Sequence, residues 1–260
     1  MVDVFRELVA LNSKRHAALR VRPQTGFEFA RGVHMSALMQ AELVRAAAIY
    51  PIVFVEDPDI DSFRPMALLG LREGENIYVD IDGTWLASYI PAVIRAYPFA
   101  LARAAAEGES ERFAVCIDAA SELVSLTEGA RLFDSAGAPT EALEQAREWL
   151  QQIREMQLRT DAFCRALAAR NLFTPFAVRA RRGDEALEVN GCYVINEERL
   201  DGLPDAKLFE LRREGWLSSI YAHLVSLQQF ERLEDGPPVD DPDALAPTDT
   251  SGFKSPPNEH

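Results

Sequence analysis

Cysteine is scarce in this chain, and the few residues there are stand far apart. Cys116, Cys164 and Cys192 are odd in number and form no Cys-x-x-Cys pair, which argues against a disulfide framework or a cysteine zinc site. The four histidines offer no His-x-His or His-Glu-x-x-His spacing for a metal. Gly70-Leu71-Arg72-Glu73-Gly74 lacks the Lys-Ser or Lys-Thr that would complete a phosphate loop. Basic charge is also short: 27 Lys and Arg face 41 Asp and Glu, a net charge of −14. Neutralising phosphates needs clustered cations, so nucleic acid is excluded as a partner, and an anionic membrane surface is disfavoured. No window approaches the ~18 consecutive apolar residues of a membrane span. The start, Met1 to Glu7, lacks the basic stretch and apolar run of a cleaved signal. These absences predict a protein of the reducing cytoplasm with three small buried thiols. They predict no cofactor, no metal and no membrane insertion.

What is present is a core. Hydrophobic residues make up 48% of 260, ample for a sizeable interior, and the pattern predicts an α+β fold. A mainly antiparallel sheet with β-hairpins is flanked by helices, one of them long, near 141–170. Asn76 to Leu86 has the clearest hairpin pattern, with Ile77, Val79 and Ile81 alternating and Asp82-Gly83 as a two-residue turn. That turn pairs Val79 with Leu86 on the core face and leaves Tyr78 and Trp85 on the other. A second meander is expected at 176–180, 185–189 and 192–195, its last two strands joined by Asn190-Gly191. Pairing across that turn sets Leu187 against Val194 and Val189 against Cys192. Further buried strands are expected at 52–55, 66–71 and 113–117.

Helices are expected from Ser36, as N-cap, to Ala48, over 92–96, and from Thr140 to Asn171 with a break near Thr160-Asp161. Pro204 opens another that Gly215 ends, and a last one runs from Leu217 to Leu233 with Ile220, Tyr221, Leu224 and Leu227 inward. The first 35 residues carry six Lys and Arg against three acids, an arm expected to pack on an acidic body. Residues 235–260 hold six prolines, and six acids oppose only Lys254. Such composition cannot bury enough apolar surface to order itself. The expected organisation is therefore one globular domain, 1–234, with a disordered acidic tail.

Chemistry must come from residues that the fold brings together. Arg95, between Ile94 and Tyr97 in an apolar segment, is expected to be buried and to need a partner, Asp118 or a ligand anion. His223 sits beside the inward stripe of the last helix, where it is either a hydrogen-bonded core residue or a proton carrier. With Tyr89 and Tyr97 as walls, these form a candidate ligand-binding set: Tyr89, Arg95, Tyr97 and His223. Asp80 and Asp82 flank a glycine turn and are read as structural.

Several segments then resemble one family. They are Leu11 to His16, Tyr50-Pro51-Ile52-Val53-Phe54, Ala67 to Leu71, Asn76 to Trp85, Tyr89-Ile90-Pro91, and Arg95 to Leu101. The match continues through Glu128 to Asp134 and Gly191 to Leu203, and ends with Ile220 to Leu227. In this order, over about residues 8 to 233, the chain resembles the bacterial SapC family. The family is named for a protein associated with a paracrystalline surface layer, and it brings no catalytic residue set. The resemblance, together with the lack of a catalytic constellation, implies a non-enzymatic binding or accessory protein for which a surface-layer role is one option; its expected partner is a protein or, from Arg95, a small anionic ligand. The alternative is an enzyme or small-ligand receptor with a pocket around Arg95, Tyr97 and His223. A cytoplasmic location is expected; the alternative is the cell surface, reached by an uncleaved export signal.

Overall fold

The computed structural model describes residues 4–58, 61–104, 112–182 and 185–235; of the predicted tail, 236–260 lie outside them and Asp235 ends a helix. In chain order the strands are β1 (Leu8–Ala10), β2 (Arg20–Val21), β3 (Met35–Ala37), β4 (Ile52–Asp57), β5 (Ser62–Leu68) and β6 (Phe99–Ala104). Then follow β7 (Arg112–Asp118), β8 (Val124–Ser125), β9 (Ala130–Arg131), β10 (Phe173–Arg182) and β11 (Glu185–Ile195). The helices are α1 (Leu43–Ala46), α2 (Ala92–Arg95), α3 (Glu141–Ala168), α4 (Glu197–Asp201), α5 (Asp205–Arg213), α6 (Leu217–Ser226) and α7 (Phe230–Asp235). Among the described residues every ladder is antiparallel, in three sheets ordered β10-β11-β4-β5-β3, β1-β7-β6 and β8-β2-β9. The α+β expectation holds.

Two hydrophobic clusters fill the interior. The larger gathers the central strands, including Ile52, Phe54 and Leu68, beneath Phe163, Leu167 and Ile220. The smaller collects Phe99, Ile117, Leu132, Leu143 and Leu150. Helix α3 belongs to both, because its first half supplies Leu143 and Leu150 and its second Phe163, Cys164 and Leu167. It runs unbroken through Thr160-Asp161. The Thr160 hydroxyl donates back to the Met156 carbonyl at 2.7 Å and accepts from the Gln40 amide at 2.8 Å, so a residue expected to interrupt the helix instead binds its neighbour. Asn171 ends the helix region with φ of +54°.

Several local expectations need correction. Ser36 caps no helix; it pairs with Ala67 in β3. The helical turns start later because the Glu42 carboxylate accepts the Met39 amide at 2.7 Å, giving a 3-10 turn at Gln40–Glu42 and then α1. The 76–86 segment closes one register off the expected one. Val79 bridges Trp85, and both are buried while Ile81 and Leu86 are exposed. The Asp80 carboxylate accepts the Asp82 and Thr84 amides at 3.0 and 2.7 Å, which builds a three-residue turn with Gly83 at φ +82° and turns Trp85 inward. Asn190-Gly191 makes no turn. Strand β11 runs straight through it opposite β10, with Cys192 facing Phe176 and Val189 facing Val178. Two residues of β11 thus oppose Ala177 alone, and Gly191 takes φ +76° as the bulge residue. The last helix is divided into α6, a 3-10 turn and α7. Tyr221 is exposed there, and Ser219, Ile220, His223 and Ser226 form the buried face.

The N-terminal arm is woven into two sheets through β1 and β2. Arg20 and Arg31 donate to backbone carbonyls of Gly129, Asp80 and Ile81, and Arg22 lies 3.6 Å from the Glu128 carboxylate.

Candidate functional site

Of the four residues singled out by sequence, Arg95 lies beside Tyr89 and shares a recess with Tyr97, whereas His223 is enclosed in the core. Arg95 is exposed on α2; its Nε donates to the Ile90 carbonyl at 3.0 Å. Its guanidinium lies 4.8 Å from the Trp149 ring centroid and 5.9 Å from that of Tyr89. The expected burial is overturned because α2 turns this position away from the core that holds Ile94. Asp118 is not its partner. The Tyr89 hydroxyl donates to Glu42 at 2.6 Å; burial first, and then that bond, push its pKa up. Tyr97 stacks on Phe29 at 4.0 Å and donates to Asp118 at 3.0 Å. Arg95 and Tyr97 share a shallow recess of about 280 Å³ with Trp149, which neither Tyr89 nor His223 lines.

His223 is fully enclosed. Its Nε2 accepts the Ile195 amide at 3.1 Å, and its ring meets Phe54 edge-on at 5.0 Å. Burial lowers its pKa to about 3, so it is a neutral imidazole of the core. The Asp118 carboxylate, also fully enclosed, accepts from the Arg6, Glu7 and Ala120 amides at 3.1, 2.9 and 3.2 Å besides Tyr97. Burial alone would raise its pKa, but these donors outweigh burial and hold it below the ordinary carboxylate value.

A deeper cleft lies elsewhere, between the open edges of two sheets. Strand β3 is the last of the five-stranded sheet and β6 the last of the smaller one, and both contribute wall residues. One lobe, of about 380 Å³, is lined by Val33, Met35, Ser36, Met66, Val93 and Ile94, with Glu56, Asp57 and Arg64. The other, of about 760 Å³, runs along α3 and is lined by Phe99, Leu101, Arg103, Phe113, Leu150, Arg154, Asp161 and Arg165. Phe5, Ala37, Arg64 and Val93 belong to both walls and form the waist.

The polar groups of this cleft are unevenly satisfied. Arg64 pairs closely with Asp57 through one terminal nitrogen. Its Nε, and the Oγ of Ser36, are enclosed without a hydrogen-bond partner in the protein. Arg154 lies 4.4 Å over the Phe113 ring, and Arg165 stands 4.0 Å from Asp161. Sequence reasoning took the α3 stripe as core packing and passed over these arginines. The signal was there in spacing: Leu150, Arg154, Gln157, Asp161 and Arg165 recur every three or four residues and so share one helix face. Arg64 and Ser36 carried no such pattern, because their meeting depends on strand register. Among the described residues no group of three or more His, Cys, Asp or Glu could hold a metal, and no helix is long and apolar enough to cross a membrane.

Compared with known proteins, the chain matches the model of the SapC family over residues 11–233. Neither the curated proteins nor the solved structures give a match.

Proposed function

The chain belongs to the SapC family, and from that premise and its cleft we propose that it is a non-enzymatic accessory protein that holds a small molecule between its two sheets. The observation that carries this reading is the pair of enclosed, unpartnered polar atoms, Ser36 Oγ and Arg64 Nε, in the cleft wall. Buried polar groups are nearly always hydrogen-bonded, so two such atoms beside one cavity mark where a bound molecule completes the set. Its volume, about 380 Å³ in the narrower lobe, falls in the usual range for ligand sites.

Binding is favoured over catalysis by how the enclosed ionisable groups are used. Asp118 is spent on three amides and a phenol, Glu42 on two amides and a phenol, and His223 on one amide. Each holds the fold together. We assign the activity to the cytoplasm, in keeping with three free, buried cysteines; recovery of the protein chiefly from the cell exterior would replace that assignment with the surface-layer role in the family's name.

The test is to purify the protein gently, compare its native and denatured masses, and repeat with Ala37→Trp, which fills the waist. A small molecule carried by the wild type and lost from the variant is expected. A wild type with no added mass, and no thermal stabilisation from a broad metabolite panel, would overturn the proposal.

A further inference from the structure

The narrower lobe of the cleft combines apolar walls with two unpartnered polar atoms, and that combination selects among ligands. Resting on the binding reading above, we infer that the molecule held there is uncharged: an aliphatic body carrying an acceptor oxygen, a carbonyl or a hydroxyl, seated against Ser36 and Arg64. The body follows from the walls. Val33, Met35, Met66, Val93 and Ile94 line this lobe, and such surface gains by covering hydrocarbon.

The acceptor follows from the unpartnered atoms. Arg64 Nε can only donate, and it is enclosed with no acceptor in the protein. An ammonium group, itself only a donor, could not satisfy it. Ser36 is 4% exposed and its hydroxyl is equally without a partner; it can donate or accept, so an oxygen suits it as well.

The ligand's neutrality follows from the charges of the wall. The Arg64 guanidinium is already matched by Asp57, which it touches closely through a terminal nitrogen. Glu56 is the remaining charged residue of this lobe, and its carboxylate accepts from the Tyr193 hydroxyl at 2.7 Å. One guanidinium therefore faces two carboxylates, which leaves no cationic excess to hold an anion. Bringing an unpaired ion out of water into such a lobe is costly. A neutral oxygen ends the isolation of the enclosed donor without bringing in a charge. The arginines of the wider lobe play no part in this selection.

Calorimetric titration of the full chain with methyl hexyl ketone, octanol, octanoate and octylamine, all at neutral pH and below micelle formation, tests this. The ketone and the alcohol are expected to bind one to one, and at least ten-fold more tightly than octanoate or octylamine. Arg64→Lys keeps a cation beside Asp57 but removes the Nε donor, and should weaken ketone binding about ten-fold, the worth of one good hydrogen bond. Ser36→Ala should weaken it several-fold while leaving the melting temperature of the ligand-free protein unchanged or raised, because an unsatisfied hydroxyl is lost. This second variant decides the matter if Arg64→Lys fails to fold. Octanoate or octylamine binding as tightly as the ketone overturns the neutral ligand. Ketone affinity that Ser36→Ala and a folded Arg64→Lys both leave unchanged overturns the seat. If none of the four binds but a molecule of another class is recovered from the purified protein, the uncharged aliphatic ligand is wrong and the binding reading stands. If nothing binds and nothing is recovered, both fall.

Discussion

At the scale of single residues, two enclosed groups tie the fold to pH with the same sign and in different windows. The native pKa of His223 is lowered from 6.5 to about 3. Between those values the unfolded chain takes up a proton that the native state refuses, so stability falls as pH falls through that window. The Asp118 carboxyl is lowered from 3.8. Its contribution is complete above 3.8 and is lost only as pH drops further, through the native value. Chemical denaturation as a function of pH should therefore show an acid loss beginning near pH 6, which His223→Gln flattens. Asp118→Ala strands three amides and a phenol and should cost about 3 kcal/mol at pH 7. The gap between that variant and wild type should narrow only at the acid extreme. An acid profile that His223→Gln leaves unchanged would remove the buried imidazole from the account.

At the scale of elements, glycine turns were where pattern and structure parted. Asp82-Gly83 and Asn190-Gly191 carry the dipeptides that favour two-residue turns, and neither makes one. In the first, the Asp80 side chain takes two amides and sets a longer loop; a carboxylate two residues before the turn outweighed the dipeptide's own preference. In the second, pairing with β10 along the length of β11 absorbs the glycine as a bulge. Both are long-range or side-chain effects that alternation of apolar residues does not record. Elements whose signal is local were legible: the long helix, the strand Ile52–Asp57, and Gly215 ending α5 with φ +73°. A β-carbon at Gly191 would meet nothing within 4 Å, so Gly191→Ala tests backbone conformation alone. The left-handed φ should make it about 1 kcal/mol less stable in urea denaturation, whereas an unchanged midpoint would mean that the bulge tolerates a β-carbon.

At the scale of the whole molecule, the candidate site was nearly illegible. The residues chosen from sequence were conspicuous because charge or aromaticity interrupted an apolar run, and the fold uses those interruptions internally: Tyr97 on Asp118, Tyr89 on Glu42, His223 on a strand amide. The cleft is made of edges, and which strands become edges is decided by sheet order, not by composition. Its two walls belong to different hydrophobic clusters joined through α3, a helix of 28 residues, about 42 Å long at 1.5 Å per residue. We expect the clusters to melt together because they share that rod. Leu150→Ala in the smaller cluster and Leu167→Ala in the larger should each lower a single transition, by about 2–5 kcal/mol. Two resolved transitions in calorimetry, with each variant moving only one, would show that the clusters are independent.

The straddling of α3 also orders events on the ribosome. Every member of the smaller cluster lies between Val9 and Ile153, whereas the larger draws on residues as late as Ile220 and Leu233. A chain emerging from its N-terminus can therefore close the smaller core while β11, the late partner of β4, and the C-terminal helices of the larger core are still being made. The first half of α3 is then anchored before its second half has anything to cover. The early apolar strands are left waiting for the C-terminal segments to arrive along a helix already fixed at one end.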